Sequence, residues 1–353
     1  MKNLSNLGSD GDFVREYFAI LSKDFPDFLQ RYIKTPEMQR LKANSISCGC
    51  NYTDLFDLKF KYSNLNHSIA VALIVWNFTK DKKATIAGLF HDIANPSFKH
   101  CVDFMNGDHE KQESIDEKLE DIIKNSPEIK KMLDLDEISV SEVAEYKDYP
   151  IADNDTPKLS ADRLEYTLAN GYFWLPLWSI SDIREIYENL TILKNEEGVD
   201  ELGFSDLVVA EKFVEGASKL WPSWIDSKDK LAMQFIADIL VKMKEVGEIS
   251  VEDLWKLSEQ EIIEKIKTCK NRKLAESFGK FQLAEKVWES EGPESGVNCK
   301  SLKTKRRYIV PLVRMGSGAK RIGEVSEIAR RQIDTYLKMD FPKYAYFDFE
   351  LES

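Results

Sequence analysis

The sequence predicts an all-α fold that is mostly helical and has at most a few short strands. Apolar residues recur at helical spacing in many segments of the 353-residue chain, whereas strict alternation of apolar and polar residues is scarce. Two segments, Ser139-x-x-Glu142 and Ser258-x-x-Glu261, have the form of a capping box, which marks the start of a helix. A hydrophobic content of 43% is ample for a core.

The first helices are indicated before residue 45. Phe13, Tyr17 and Leu21 lie at helical spacing. Further on, Thr35 and Pro36 combine an N-cap threonine with a proline at the first helical position. We therefore expect one helix from each of these two segments.

The next two helices are predicted to be central. A helix over 66–78 places His67 at the N-terminal end of a buried apolar stripe that continues through Val71. The segment 84–92 is nearly apolar all round, and its small residues allow close packing of helices. Pro96 ends this segment.

Helical patterns continue through the rest of the chain. A helix over 159–170 would place Asp162, Glu165 and Tyr166 on one side. The other segments predicted to be helical are 180–193, 205–220, 227–246, 251–257 and 259–270. Non-helical structure is expected as a loop over 289–301, a short strand over 308–313, a turn over 315–318 and an aromatic tail at 344–349 that docks on the body.

Composition argues against several classes of protein. The formal net charge of −12 disfavours a broad nucleic-acid-binding surface, although a small basic pocket is compatible with it. The longest apolar run, residues 69–76, is far shorter than the roughly 20 residues that span a bilayer. Residues 1–12 lack the apolar centre of a signal peptide. Five scattered cysteines do not form a disulfide framework, so we expect reduced thiols and a cytoplasmic protein.

All four histidines of the chain lie in one short window: His67, His91, His100 and His109. His91 is followed directly by Asp92. A neutral imidazole beside a carboxylate suits a divalent metal of intermediate hardness. The clustering therefore points to a site and not to scattered surface histidines.

A metal centre is our interpretation of four residues on three predicted helices: His67, His91, Asp92 and Asp162. Two histidines and two carboxylates would leave two positions of an octahedral ion open to water and to substrate oxygens. An open site of this kind is typical of catalysis. One divalent ion is expected, and the ligand set accepts Mn, Fe, Co, Ni, Mg or Zn.

Each of these residues also has a plainer interpretation. A histidine on an apolar stripe, such as His67, is usually a core residue, and an isolated His-Asp dipeptide is common. His100 and His109 could serve either catalysis or structural hydrogen bonds. The combination of the clustered histidines with Asp162 is what favours a metal.

The order H…HD…D resembles the signature of the HD-domain superfamily of metal-dependent phosphohydrolases. Residues 91–100, His-Asp-Ile-Ala-Asn-Pro-Ser-Phe-Lys-His, are similar to the HDxGxxPFxH segment of deoxynucleoside triphosphate triphosphohydrolases. Residues 33–41 are similar to the TPxFQRL segment of that family, His109-Glu110 to its His-Glu pair, and residues 162–166 to its last ligand and the tyrosine after it. These segments occur in the family's order within about residues 33–170.

The resemblance implies a mostly helical fold and hydrolysis of (deoxy)nucleoside triphosphates at the α-phosphorus, which releases a nucleoside and inorganic triphosphate. It also implies a nucleotide substrate and a homo-oligomer. The metal ligands implied by motif position are His67, His91, Asp92 and Asp162. The residues implied to supply or relay the proton to the leaving 5′-oxygen are His100, Asp103 and His109.

Substrate contacts are implied for a further set of residues. Tyr166 would lie near the sugar, and Asn170 stands where the family often has a sugar-contacting carboxylate. Asn95 stands where many members have a histidine and other members an asparagine. The nearest basic residues for the phosphates are Arg40, Lys59, Lys61 and Arg163.

The sequence departs from the family just before His67, because residues 63–67 lack the usual arginine. A basic segment, 301–331, contains nine Lys or Arg residues against two acidic ones. This segment could hold phosphates or an effector nucleotide, or it could be a solvated surface. Its residues considered for such contacts are Lys305, Arg306, Arg307, Lys320 and Arg321.

These features predict three parts of the chain. Residues 1–30 form a helical lead-in, and residues 31–193 form the HD-domain core. Residues 194–353, which include the basic segment, form a helical C-terminal region packed on that core.

Two other functions are open alternatives. The site could remove a single phosphate from a nucleotide or another phosphomonoester, as smaller HD-domain nucleotidases do. The chain could also be a helical nucleotide-binding regulatory module that uses the basic segment to hold its effector. The complete set of metal ligands favours an enzyme.

Overall fold

The computed structural model describes residues 11–107, 118–301, 305–340 and 344–351. These residues form eighteen α-helices and seven short strands, which confirms the predicted mostly helical fold. Within these ranges, no helix combines the length and the apolar character needed to cross a membrane.

The helices before residue 108 surround a central pair. They are α1 (Gly11–Leu21), α2 (Asp27–Ile33), α3 (Pro36–Arg40), α4 (Asn64–Thr79), α5 (Lys82–Phe90) and α6 (His100–Met105). Helix α4 is buried from Asn64 to Val75, and α5 is buried from Ala84 onwards. A Cβ atom at Gly88 would lie 3.3 Å from Val75, so this glycine permits the predicted close packing of α4 on α5.

The remaining helices extend the body around this pair. They are α7 (Leu119–Asn125), α8 (Pro127–Leu135), α9 (Ser141–Ala144), α10 (Ala161–Phe173), α11 (Ile180–Glu188), α12 (Leu207–Leu220), α13 (Ser227–Glu245), α14 (Asp253–Lys256), α15 (Glu259–Thr268), α16 (Arg272–Gln282), α17 (Ile322–Val325) and α18 (Glu327–Leu337). The capping box predicted at Ser258 and Glu261 is present at the start of α15.

Two small sheets connect distant parts of the chain. Their strands are β1 (Leu190–Lys194), β2 (Asp200–Phe204), β3 (Trp288–Ser290), β4 (Cys299–Lys300), β5 (Leu312–Met315), β6 (Gly318–Arg321) and β7 (Tyr344–Tyr346). The first sheet has the order β1-β2-β5-β6, and its β2–β5 pair is parallel. The second sheet has the order β3-β7-β4 and is antiparallel. The tail therefore docks on the body, as predicted, by pairing as a strand.

Several predicted elements were wrong in type or extent. The helix predicted over 180–193 ends at Glu188, and Thr191 and Ile192 lie in β1, because β-branched residues suit a strand that has a partner in β2. The strand predicted over 308–313 begins only at Leu312. The loop predicted over 289–301 contains the last two residues of β3 and all of β4. Thr35 precedes α3 but does not cap it with its side chain.

Two hydrophobic clusters form the interior. The larger one draws on residues from Val14 to Tyr336 and includes the buried faces of α4, α5, α10 and α12. The second centres on α13, α15 and α16 and includes Phe98 and Phe347. Helix α6 packs against α13 and so belongs to the second cluster. Both clusters combine residues from either side of residue 193, and the three-part division of the chain stays a prediction.

Candidate metal centre

Three helices bring the predicted metal ligands to one place. His67 lies in the first turn of α4, His91 follows α5, and Asp162 is the second residue of α10. The Nε2 atom of His67 is 3.1 Å from Nε2 of His91 and 3.1 Å from Oδ1 of Asp162. The Nε2 atom of His91 is 3.6 Å from the same aspartate oxygen. These three atoms are close enough together to hold one ion.

Asp92 borders the same atoms. Its Oδ2 atom is 3.6 Å from Nε2 of His67, and its Oδ1 atom is 3.6 Å from Nε2 of His91. The ammonium of Lys99 lies 2.6 Å from Oδ2. One carboxylate oxygen of Asp92 can therefore face an ion while the other holds Lys99.

The second nitrogen of each imidazole fixes the orientation of its ring. Nδ1 of His67 is hydrogen-bonded to the buried carboxylate of Glu165, which also accepts a 2.8 Å hydrogen bond from the hydroxyl of Tyr62. Nδ1 of His91 donates to the carbonyl oxygen of Gly88 at 2.8 Å. Because these partners are acceptors, Nδ1 of each ring carries a proton, and Nε2 of each ring faces the cluster, where it can hold either a second proton or an ion.

The side chains of His67, His91, Asp92 and Asp162 are called the metal cluster below. The charges around this metal cluster attract a positive species. Burial alone would lower the pKa of His67, but Glu165, Asp162 and Asp92 outweigh it and raise this pKa to about 10. Burial would raise the pKa of Asp162, yet hydrogen bonds from His67 and His91 hold it well below its usual range. Protons and a divalent ion therefore compete for the same atoms.

A second histidine–carboxylate pair stands at the start of α6. Nδ1 of His100 lies 2.9 Å from Oδ2 of Asp103, which is fully buried. Burial lowers the pKa of His100, and the charges of Lys99 and Arg307 add to this effect against the opposing hydrogen bond to Asp103. His109, the other residue predicted for proton transfer, lies outside the described residues.

The loop after α5 is held on both sides. Arg40 donates to the carbonyl oxygens of Ile93 at 2.9 Å and Asn95 at 2.7 Å. The indole N–H of Trp255 donates to the carbonyl oxygen of Ala94 at 2.7 Å. These three carbonyl contacts fix the path of the chain from the metal ligands to α6.

The same loop ends in two residues with left-handed backbone. Phe98 has a φ of 66° and Lys99 a φ of 37°, and neither is a glycine. This conformation costs roughly 1–2 kcal/mol per residue. Phe98 is fully buried in the second cluster, so packing holds the turn that places Lys99 against Asp92.

The candidate metal ligands, together with Lys99 and His100, line a cavity of about 210 Å³. The predicted site residues that line it are His67, His91, Asp92, Asn95, His100, Asp162, Arg163, Tyr166, Asn170, Lys305 and Arg307. Of these residues, Lys305 and Arg307 come from the basic segment of the C-terminal region. That segment therefore reaches the cavity that contains the metal cluster.

The fold is shared with proteins of known structure, although no family model matches the chain. The uncharacterized protein YdhJ of Bacillus subtilis (strain 168) is 24% identical over 249 residues, which cover 70% of this chain and 73% of that protein. A hypothetical protein from Aquifex aeolicus has a crystal structure with a TM-score of 0.63 and 17% identity, covering 92% of this chain and 93% of that one. A phosphohydrolase from Bacteroides thetaiotaomicron has a TM-score of 0.64 and 14% identity, covering 92% and 96%. This chain has the fold of these two solved structures.

Other predicted residues are not among those that line the cavity. Lys61 bonds to the carbonyl oxygen of Ala43 at 2.8 Å and pairs with the buried carboxylate of Glu259 at 3.3 Å. Lys59 lies over the ring of Tyr172 at 4.4 Å. The remaining predicted residues outside the lining are Arg40, Asp103, Arg306, Lys320 and Arg321.

The sequence reasoning missed several lining residues: Lys99, Asp153, Trp174, Trp224 and Asp229. It also missed the contact between Glu165 and His67. Glu165 was detectable in principle, because it follows Asp162 by three residues and so shares its helix face. Asp229 and Trp224 carry no such signal, since they are far along the chain from every ligand motif.

Proposed function

We propose that this protein is an HD-domain, divalent-metal-dependent phosphohydrolase that cleaves nucleoside triphosphates at the α-phosphorus to a nucleoside and inorganic triphosphate. The observation that carries the proposal is the convergence of Nε2 of His67, Nε2 of His91 and a carboxylate oxygen of Asp162 within 4.8 Å. The structural neighbour named a phosphohydrolase supports the reaction class. The order of motifs along residues 33–170 supports the triphosphate substrate.

The donor atoms of the cluster fit a divalent ion. Two imidazole nitrogens combine with two carboxylates, Asp92 and Asp162, whose charges would balance such an ion. When bound, the ion would supply Lewis acidity towards phosphate oxygens and water. The chain itself holds both rings in place through Glu165 and the carbonyl oxygen of Gly88.

Cationic side chains that line the cavity suit a polyphosphate. Lys99, Lys305 and Arg307 add positive charge beside the metal cluster. The amide nitrogen of Asn95 is buried and has no hydrogen-bond partner among the residues in the described ranges, so it offers a further donor to a phosphate oxygen. Lys305 and Arg307 would replace the arginine that is missing before His67.

His100 is the proton donor that we assign to the leaving 5′-oxygen. Asp103 accepts the hydrogen bond from Nδ1 of His100 and so presents the opposite ring edge, with Nε2, for proton transfer. The lowered pKa of His100 makes its protonated form a stronger acid. His109 stays a predicted partner in this proton transfer.

A chromatographic screen tests the proposal. Nucleoside mono-, di- and triphosphates are incubated with the protein and Mn²⁺ or Mg²⁺, and both products are identified. We expect a nucleoside and inorganic triphosphate from the triphosphates. Orthophosphate released directly from a monophosphate would instead establish a phosphomonoesterase, and tight binding without turnover would establish a regulatory module.

Asp92→Ala is the matched loss-of-site variant for this screen. It removes a carboxylate from the cluster, so we expect loss of both metal occupancy and turnover. Asp134→Ala, which removes an exposed carboxylate on α8, serves as the control and should change neither. Full metal stoichiometry in Asp92→Ala would show that the ligand assignment is wrong.

A further inference from the structure

One acidic side chain lines the cavity but does not belong to the metal cluster. Asp229 lies in the first turn of α13, and only 8% of the residue is exposed. Its Oδ1 atom accepts a hydrogen bond from the thiol of Cys50 at 3.5 Å. Within the part of the chain that the structure describes, that thiol is its single hydrogen-bond donor, and no basic side chain forms an ion pair with it.

This environment is unfavourable for a carboxylate unless a bound molecule supplies further hydrogen bonds to it. A thiol is a weak donor, and a buried carboxylate needs several hydrogen bonds to offset the loss of water. Burial raises the pKa of Asp229 to about 6, although the charges of Lys230 and Arg307 offset part of the effect. The missing donors can come from a molecule in the cavity that Asp229 lines.

Flat aromatic side chains line the same cavity. Tyr166, Trp174 and Trp224 are each half-buried there. The rings of Tyr166 and Trp224 meet edge to face, with centroids 5.2 Å apart and an angle of 77° between their planes. Aromatic faces beside a cavity offer stacking surface to a nucleobase of any type. A carboxylate among them adds selection by hydrogen bonding.

We propose that Asp229 recognises the guanine base of the substrate by accepting hydrogen bonds from its N1–H and N2–H groups. This inference rests on the proposed function, since it assumes that the cavity holds a nucleotide. Among the common bases, guanine alone presents two adjacent N–H donors on its pairing edge, which match the two oxygens of one carboxylate. Adenine and cytosine place a ring acceptor next to their amino group. Uracil and thymine flank their single N–H with carbonyl oxygens. Each of these four bases therefore places an acceptor atom opposite one oxygen of the carboxylate, and the two acceptors repel each other.

The test compares bases in two independent measurements on the metal-loaded full chain. Calorimetry measures the affinity for GMP, IMP and AMP, and steady-state kinetics measures kcat/KM for GTP, ITP and ATP. Inosine lacks the N2 amino group and so removes one of the two hydrogen bonds. A bidentate contact of this kind discriminates by roughly 10- to 100-fold. We expect guanine to be favoured over adenine by about that factor, with hypoxanthine between them.

Asp229→Asn separates recognition from folding. The amide keeps the size of the side chain but has one acceptor in place of two, so the guanine-to-adenine ratio should fall towards one in both measurements. Glu245→Gln makes the same chemical change at the exposed end of α13 and should keep the wild-type ratio. Circular dichroism confirms that both variants are folded.

The outcomes distinguish this inference from the proposed function. Hydrolysis with equal use of guanine and adenine nucleotides would overturn the role of Asp229 and leave the phosphohydrolase standing. Selective binding of GMP without hydrolysis of any nucleotide would overturn the proposed phosphohydrolase activity and leave the role of Asp229 standing. A guanine preference that survives in Asp229→Asn would also overturn the role of Asp229, and no binding of any nucleotide would overturn both.

Discussion

At the scale of single residues, the geometry of the candidate metal ligands depends on atoms that would not touch an ion. Helix α10 supplies Asp162 to the Nε2 side of His67 and, one turn later, Glu165 to its Nδ1 side. Two side chains of one helix thus set both the position and the tautomer of the same imidazole. Partners of this kind raise ligand basicity and typically change metal affinity when they are mutated.

Glu165→Gln is expected to weaken metal binding by roughly 10- to 100-fold. The amide removes the negative charge that supports the Nδ1 proton of His67, and it can turn its NH₂ group towards that nitrogen. Competition with a chromogenic chelator for Mn²⁺ or Zn²⁺ measures the affinity. Tyr62→Phe removes only the hydrogen bond to the other oxygen of Glu165 and should have a smaller effect. Equal affinities in Glu165→Gln and the wild type would contradict the orienting role.

Asp229→Asn is expected to raise the free energy of unfolding at pH 8 by roughly 1–3 kcal/mol, because it removes a charge whose burial is unfavourable. The pKa is raised from 3.8 to about 6 in the folded chain, so the folded state binds more protons than the unfolded state between these values. The contribution of Asp229 to wild-type stability therefore falls as pH rises from about 4 to 6, and the penalty persists above that range.

Urea unfolding of Asp229→Asn and the wild type at pH 4 and pH 8 measures this dependence. The stabilisation should be present at pH 8 and largely absent at pH 4. Glu245→Gln should show no such difference between the two pH values. A stabilisation that is the same at both pH values would assign it to packing and not to ionisation.

The residues of the cluster could be proposed from sequence because they are chemically rare. Four histidines in one window, with Asp92 and Asp162, form a pattern that needs no knowledge of packing. The cationic residues could not be sorted in the same way. Lys61 and Arg307 look alike in sequence, yet Lys61 pairs with Glu259 while Arg307 lines the cavity, and only the folded chain decides between these places.

At the scale of helices, one tryptophan sets the distance between α10 and α12. The ring of Trp178 lies against Gly171 of α10 and Gly216 of α12, and a Cβ atom at either glycine would overlap it. Trp178 is buried and stacks on Phe213, with centroids 5.9 Å apart. The two glycines thus make room for the ring, and α10 in turn carries Asp162.

Gly216→Ala is expected to destabilise the protein by about 1–3 kcal/mol, as overpacking of a core does. The added methyl group must push Trp178 or one of the two helices aside. Gly279→Ala makes the same change within α16, where the new Cβ atom meets no atom of the described residues within 4 Å. It should instead stabilise the protein by about 0.5–1 kcal/mol, because alanine favours a helix over glycine.

Denaturant midpoints with unchanged slopes measure both effects. Loss of metal affinity in Gly216→Ala would show that the shift reaches Asp162. Stability equal to the wild type in Gly216→Ala would contradict the close contact with Trp178.

Helices were predicted better than strands for a physical reason. A helix is encoded by the local spacing of apolar residues. The helices predicted over 159–170 and 227–246 therefore correspond to α10 and α13, with small errors at the ends. Strand β1 was predicted as helix, because its pairing with β2 makes it a strand, and β2 in turn pairs with β5, which lies more than 100 residues further along the chain. Pairing over such distances has no local pattern.

At the scale of the whole molecule, one arginine joins the first sheet to the segment that leads into α10. Arg321 makes two hydrogen bonds to the fully buried carboxylate of Glu201, at 2.6 and 2.9 Å, and two more to Glu196. Glu201 also accepts from the backbone N–H of Leu159 at 3.0 Å. This network ties residues of the C-terminal region to the approach of Asp162.

Arg321→Gln is expected to destabilise the protein by about 3–5 kcal/mol, because it leaves the charge of Glu201 buried without its partner. Arg331→Gln removes an exposed pair with Glu327 on α18 and should cost less than about 1 kcal/mol. Guanidinium unfolding measures both variants. A small effect of Arg321→Gln, similar to that of Arg331→Gln, would show that the network contributes little to stability.

The cavity takes its lining from residues between Ile46 and Arg307. During translation the metal ligands, the last of which is Asp162, leave the ribosome while Lys305 and Arg307 have still to be decoded. A nascent chain therefore contains all four candidate metal ligands before the two cationic residues of the C-terminal region that line the same cavity have been added. If the proposed activity needs Lys305 and Arg307, it cannot begin until synthesis has passed Arg307, well after the candidate metal ligands have emerged.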